Sequence, residues 1–241
     1  MAEDTDTPPA VLAVDDSMEA LQIVRHTLEE AGFVPVTASS GEEAVDEVAE
    51  KGLPHLAVVD LKMPPGMDGF EFCDYLYQFS DVPVVMLTGV DESETVVQAL
   101  QQYAEDYVLK PFNPDELVAR VRRVLARVGR FPYRMSVPIV VDDCLRIDFP
   151  SREVMVEDRT ASLTPTEARL LYILMRTPGK TVTSDFLLRR MWPMEHAYED
   201  RLHVYIHRLR SKLQVGRGEH PYVVSERGVG YRFQPLRCGS N

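Results

Sequence analysis

Five polar side chains sit where short apolar runs stop. Asp15 and Asp16 follow Val11–Val14, Asp60 follows Leu56–Val59, Thr88 follows Val82–Leu87 and Lys110 follows Asp106–Leu109. If those runs are neighbouring parallel strands, their ends converge, because open parallel sheets present their ligand sites beyond the carboxyl ends of the strands. Three gathered carboxylates would repel one another. Hard oxygen donors with open positions suit Mg²⁺, which keeps several waters and takes one or two protein carboxylates. A hydroxyl and an ammonium facing the same pocket are partners for phosphate.

The elements that must position these groups follow from periodicity. Strands are predicted over Val11–Val14, Phe33–Thr37, Leu56–Val59, Val82–Leu87 and Asp106–Leu109, with helices over 18–31, 41–51, 69–79, 91–103 and 113–127. Apolar runs alternating with amphipathic stretches indicate βα units around a parallel sheet buried on both faces. Ser40 with Glu43, and Asn113 with Pro114 and Glu116, resemble N-capping boxes. Residues 129–138 break the periodicity with two prolines and are read as a linker. Beyond it lie short strands over Ile139–Val141, Leu145–Ile147, Val154–Val156 and Ala161–Leu163, then helices, then a Gly-punctuated hairpin. Thr164-Pro165-Thr166-Glu167 reads as a third capping box, opening a helix with Ala168, Leu171, Tyr172 and Met175 on one stripe.

The 241 residues suit two domains of the common size, about 100 to 150 residues. Net charge is −12, divided unevenly: residues 1–128 hold 8 Lys/Arg against 25 Asp/Glu, and residues 129–241 hold 18 against 13. The halves therefore face different partners, and the basic one is suited to local contact with phosphates. No apolar run approaches the roughly 18 to 20 residues of a membrane span, so no membrane association is expected. Met1–Pro9 is acidic and polar, the opposite of a secretory signal, which points to the cytoplasm. Cys73, Cys144 and Cys238 are widely spaced and suggest neither a disulfide framework nor a zinc cluster. His26, His55, His196, His203 and His220 show no ligand spacing and read as structural or surface residues.

Asp15-Asp16, Asp60 with Pro64 four residues on, Thr88, and Lys110-Pro111-Phe112 together resemble the receiver domain of two-component systems over about 10–128. Singly, Thr88 also suits a strand-end cap, Tyr107 a half-buried core aromatic and Lys110 a solvated loop cation. It is their order, each at its strand end, that carries the resemblance. It implies a flavodoxin-like doubly wound α/β fold with strand order 2-1-3-4-5. It also implies that Asp60 accepts a phosphoryl group from a sensor histidine kinase, that Asp15, Asp16, Asp60 and the Lys62 carbonyl hold Mg²⁺, that Lys110 pairs with phosphoryl oxygens, and that Thr88 and Tyr107 act as the switch. Such a chain aids its own phosphorylation without being a turnover enzyme. A phosphatase with an aspartyl nucleophile would more naturally carry an acid two residues after it, where this chain has Lys62.

In the basic half, a helix over Asp200–Leu213 places Leu202, Ile206, Leu209 and Leu213 on one stripe and Arg201, Val204, Arg208 and Ser211 opposite, flanked by His207 and Lys212. Leu163–Glu167, Trp192, Tyr198–Arg201, His207–Arg210 and Glu226–Phe233 closely resemble the OmpR/PhoB winged helix, an α+β winged helix-turn-helix domain expected over 139–236. The resemblance implies binding to double-stranded DNA with that helix in the major groove. Base edges would be read by Val204, His207 and Arg208, and phosphates met by Arg201, Arg210, Lys212 and Arg232. Arg227 on the wing would reach the minor groove, with Gly228 and Gly230 permitting the turn.

It further implies a homodimer through the fourth helix, fifth strand and fifth helix of the receiver, with Asp106, Glu116 and Arg120 at the ion-pairing positions. Val96 stands where relatives often carry a basic partner, and Tyr103 replaces a usual glycine. RNA polymerase would be touched near Glu195 and His196. The function expected is a phosphorylation-controlled transcription regulator. The alternative is a DNA-binding regulator whose receiver is a phosphorylation-independent dimerisation module.

Overall fold

The computed structural model describes residues 8–89, 104–128, 131, 136–192, 198–214 and 222–236. They form two compact units, with the first passing to the second between residues 130 and 131. Helices are numbered among the described residues.

The first unit is built from β1 (Ala10–Val14), α1 (Met18–Glu30), β2 (Val34–Ala38), α2 (Gly41–Lys51), β3 (Leu56–Asp60), α3 (Gly69–Tyr77), β4 (Val84–Gly89), β5 (Asp106–Lys110) and α4 (Pro114–Val128). The sheet order is β2-β1-β3-β4-β5, the order the receiver resemblance implies, and every pairing is parallel, as the alternation predicts. Side chains alternate between the faces of a strand. Val11, Ala13, Val58, Val85 and Leu87 pack with Leu21, Val24 and Leu28 of α1 and Leu117, Val121 and Val124 of α4. Their neighbours Leu12, Ala57, Val59 and Met86 are just as buried on the other face. With β1, β3 and β4 buried on both faces among the described residues, a ligand meets these strands at their ends. The helix expected over 91–103, with Val96 and Tyr103, lies outside the described residues.

Two of the three expected capping boxes differ from expectation. At α2 the Ser40 hydroxyl accepts from Glu43 N–H at 3.1 Å, but the Glu43 carboxylate reaches one residue further back, accepting from Ser39 N–H at 2.6 Å. At α4 the Asn113 side chain accepts from Asp115 N–H at 2.8 Å, while Glu116 turns to Arg120. A guanidinium one turn along competes successfully for that carboxylate. The Thr164–Glu167 box forms in both directions: Glu167 N–H donates to Thr164 Oγ1 at 3.4 Å and Thr164 N–H to Glu167 Oε2 at 2.8 Å.

The second unit opens with a four-stranded antiparallel sheet in order β6-β7-β8-β9 (Ile139–Val140, Leu145–Asp148, Glu153–Val156, Arg159–Ser162). Helices α5 (Pro165–Met175), α6 (Ser184–Met191) and α7 (Glu199–Lys212) follow, with β10 (Thr181–Thr183) joining the hairpin β11 (Val223–Glu226) and β12 (Gly230–Phe233) in order β10-β12-β11. Leu170 to Met175 of α5 are all buried, making this helix the centre of the unit. Phe131, inside the segment expected as a linker, is buried, its ring stacked on Tyr172 at 4.7 Å. The stripe Leu202, Ile206, Leu209 and Leu213 faces the core as its spacing predicts. Gly228 has φ +72 and makes the turn, but Gly230 serves differently: a Cβ there would lie 2.0 Å from the Val182 carbonyl oxygen of β10. Cys73 is a buried free thiol, whereas Cys144 is disulfide-bonded, which the cysteine spacing did not suggest. Among the described residues no helix is long and apolar enough to cross a membrane.

Candidate functional site

Parallel register assembles the pocket. Val14 lies opposite Val59, so Asp15 and Asp60 leave adjacent strands at the same level. Thr88 and Gly89 lie opposite Leu109 and Lys110, which delivers the ammonium from the sheet edge. Lys110 Nζ stands 2.6 Å from Asp15 Oδ2 and 2.7 Å from Asp60 Oδ2, bridging the two carboxylates. Asp16, exposed, completes a set whose ligand oxygens all lie within 4.8 Å of one another. A cation therefore already sits where the acids converge, and hard carboxylate oxygens at this spacing fit Mg²⁺.

Burial and charge act in opposite directions here. Burial pushes the Asp60 carboxyl above the usual carboxylate range; the Lys110 hydrogen bond and charge pull it back, and Asp15 adds to the rise. Burial works against the Lys110 charge, but hydrogen bonds and attraction from Asp15 and Asp60 outweigh it and hold the ammonium above its ordinary range. The Asp60 side chain keeps 11% exposure against 1% for Asp15, so Asp60 is the buried-strand acid a reagent can reach. Thr88 is buried, its hydroxyl donating to the Gly89 carbonyl at 3.2 Å. Lys62 N–H approaches Asp60 Oδ1 at 3.4 Å, a long contact.

Two supporting residues escaped the sequence reading. Ser17 N–H donates to Asp15 Oδ1 at 2.9 Å, and the Ser17 hydroxyl caps α1 by accepting from Ala20 N–H at 3.3 Å, tying the acid pair to the helix start. Gly69 brings α3 against the chain after Asp60: its N–H donates to Leu61 O at 3.2 Å, and a Cβ would lie 2.1 Å from Asp60 O. The signals were present, a serine two residues after an aspartate and a glycine opening a helix, but both are common in loops.

On β5, Tyr107 is half-exposed with the Arg120 guanidinium 5.8 Å from its ring centroid. Arg120 also bonds Asp106 at 2.9 Å and Glu116 at 2.9 Å, and Arg123 pairs with Asp106 as well. The three residues expected at a dimer face thus form one network within the chain.

On α7, Val204, His207 and Arg208 are exposed, as is Arg227 on the hairpin. Arg201 lies over the Trp192 ring at 4.5 Å. The other expected phosphate contacts are half-buried and bonded to neighbouring elements of the unit. Arg210 donates to Val223 O and Ser225 Oγ at 2.8 Å each, Lys212 to Ser162 O at 2.8 Å and Glu167 Oε2 at 2.6 Å, and Arg232 pairs with Glu226 at 2.9 Å. Glu195, His196, His220 and Cys238 lie outside the described residues. His55 is structural, its Nδ1 accepting from Ala10 N–H at 3.0 Å.

The sequence matches the response regulator receiver domain over residues 11–122 and the C-terminal domain of transcriptional regulatory proteins over 158–233. It is 38% identical over 226 residues to the DNA-binding response regulator MtrA of Mycolicibacterium smegmatis, covering 93% of this chain and 96% of the relative. The chain belongs to the OmpR/PhoB family of response regulators. Another relative, the probable transcriptional regulator ycf27 of Porphyra purpurea, is 36% identical over 232 residues, with 94% and 95% covered. Among solved structures, the response regulator DrrB of Thermotoga maritima, an OmpR/PhoB homologue, aligns at 28% identity and TM-score 0.45, over 94% of this chain and 99% of that one. A receiver joined to a transcriptional-regulator C-terminal domain makes this OmpR/PhoB response regulator a DNA-binding transcription regulator under phosphorylation control.

Proposed function

We propose that Asp60 is the phosphoacceptor, that a sensor histidine kinase is the donor, and that the resulting charge change governs DNA binding by the second unit. The observation that carries this reading is the Lys110 ammonium held between Asp15 and Asp60, with Asp60 the more accessible of the two buried acids. A partly desolvated Asp60 carboxylate is a better nucleophile than a hydrated one, and phosphoryl transfer asks chiefly for positioning and neutralisation of the equatorial oxygens. Lys110 supplies one such charge. Asp15, Asp16, Asp60 and the Lys62 carbonyl would hold Mg²⁺, which when bound supplies a further positive charge to the same oxygens. Thr88 is one residue from the strand end, suited to meet a phosphoryl group on Asp60, and Tyr107 is the candidate aromatic switch.

The boundaries are assigned as receiver 10–128, linker 129–138 and winged helix 139–236. Val204, His207 and Arg208 would read base edges in the major groove, Arg201 would meet the backbone and Arg227 the minor groove. Homodimerisation through the fifth strand and the helices beside it would require the Asp106–Arg120–Glu116 network to exchange partners between copies. RNA polymerase is the further partner proposed, and the cytoplasm the compartment. The chain promotes its own phosphorylation and is not a turnover enzyme.

The test is intact mass after incubation with Mg²⁺ and a small-molecule phosphodonor. One phosphoryl adduct on wild type and none on Asp60→Ala is expected. An adduct of equal yield on both would place the acceptor elsewhere.

A further inference from the structure

The end of α7 is held by a charge pair whose carboxylate, Glu167, is buried and whose ammonium, Lys212, the sequence offers as a DNA phosphate contact. Glu167, the third residue of α5, is 1% exposed, and its Oε2 accepts both from Thr164 N–H at 2.8 Å and from Lys212 Nζ at 2.6 Å. Lys212 spends a second donor on Ser162 O of β9 at 2.8 Å. Burial raises the Glu167 carboxyl, but the hydrogen bonds from Lys212 and from Thr164, with the Lys212 charge, outweigh it and hold the group below the usual carboxylate range. One ammonium therefore ties together the last turn of α7, the first turn of α5 and the end of β9. Beyond it, Arg159 donates to the Gln214 carbonyl just past the helix.

Lys212 lies four residues after Arg208 and eleven after Arg201, about 40° and 20° from them around the helix axis at 100° per residue. Its anchoring thus fixes the rotation and axial position of the face that carries those residues. An α-helix advances only about 1.5 Å per residue, and bidentate base contacts tolerate little displacement.

We propose that Glu167 and Lys212 form a positioning pair that sets the register of α7 for sequence-specific DNA binding, and that Lys212 acts through this anchoring rather than on a DNA phosphate. The proposal rests on α7 being the DNA-reading helix. Removing Lys212 leaves the buried Glu167 carboxylate without its counter-charge, and removing the Glu167 charge frees the half-buried ammonium from its anchor. The glutamine of Glu167→Gln keeps an oxygen for Thr164 N–H, which spares the helix cap.

The experiment uses the full chain, with a duplex selected from a random pool by wild type and a scrambled duplex of the same composition. Specific and non-specific affinities are measured against salt for Glu167→Gln, Lys212→Met, the double variant and Arg208→Ala. Each single variant is expected to lower specific affinity by about tenfold or more, the scale of a lost charge-assisted contact. Non-specific affinity and the salt slope should stay as in wild type, and the double variant should be no worse than the singles. General destabilisation would lower both affinities together and leave their ratio unchanged, which would overturn the proposal. So would a Lys212→Met variant that loses about one unit of salt slope on both duplexes while Glu167→Gln behaves as wild type, since that marks a phosphate contact. An Arg208→Ala variant with unchanged affinities would remove α7 as the reading helix and the proposal with it.

Discussion

The two units of this response regulator use their cations differently. In the receiver pocket Lys110 faces two carboxylates at a site open enough for Asp60 to react, so its bonds are those a phosphoryl group would compete for. In the winged helix Arg210 and Lys212 are bonded to backbone carbonyls and side chains of neighbouring elements, whereas Arg201 and Arg208 of α7 and Arg227 of the hairpin are exposed. The first arrangement stores a charge for exchange, and the second uses charge to fix geometry. Surface ion pairs contribute little to stability, commonly about 0 to 1 kcal/mol, whereas a charge left unpaired in a buried site is costly. The expected effects of substitution separate the two units.

The largest should follow from crowding the pocket backbone. A side chain at Gly69 meets the Asp60 carbonyl, so Gly69→Val should abolish phosphoryl uptake and markedly lower the receiver's thermal stability. Gly89→Ala is the control: among the described residues a Cβ there meets nothing within 4 Å, and its adduct yield by intact mass should match wild type. If the Gly69 variant took up phosphate normally, the close approach of α3 would not shape the site.

Next come the outward cations of α7 and the wing. Arg208→Ala should cost about 1 to 3 kcal/mol of specific DNA affinity. Arg232→Ala, whose guanidinium is paired with Glu226, should cost less and leave the salt slope unchanged. Equal losses in titrations at several salt concentrations would erase the distinction between inward and outward cations.

The smallest expected effect is on acid stability. The folded Glu167 carboxyl lies below its ordinary value of 4.5, so its contribution is present above that pH and lost as pH falls through the folded value. Denaturant titrations should show wild type losing stability as pH falls below 4.5, and Glu167→Gln should show a shallower loss. Identical acid limbs would mean the pair does not stabilise the fold.

The parallel sheet was legible because doubly buried strands read as continuous apolar runs, and the pocket because polar residues end those runs. Asp15, Asp60 and Lys110 could be placed together once the receiver resemblance supplied the strand order. What could not be read was direction. A basic residue on a helix has the same spacing whether it meets solvent or a neighbouring carbonyl, so Arg210 and Lys212 looked like Arg208. The Glu116 carboxylate had two partners within reach, Asn113 N–H and Arg120, and spacing does not rank them. Gly69 and Gly230 are required by close approach of another backbone, which depends on packing between elements distant in sequence. Ser39 rather than Ser40 receives the Glu43 carboxylate because the entry of the chain into α2 decides which N–H is presented.

The central claim is that phosphorylation of Asp60 controls DNA binding, and affinity for a selected duplex, with Mg²⁺ and with and without a small-molecule phosphodonor, tests it most directly. The account predicts that the donor changes wild-type affinity by about 5- to 150-fold, the usual range of coupling between sites, and leaves Asp60→Ala unmoved. Equal affinities for wild type under both conditions, with the adduct verified by mass, would contradict it and make the receiver a phosphorylation-independent module.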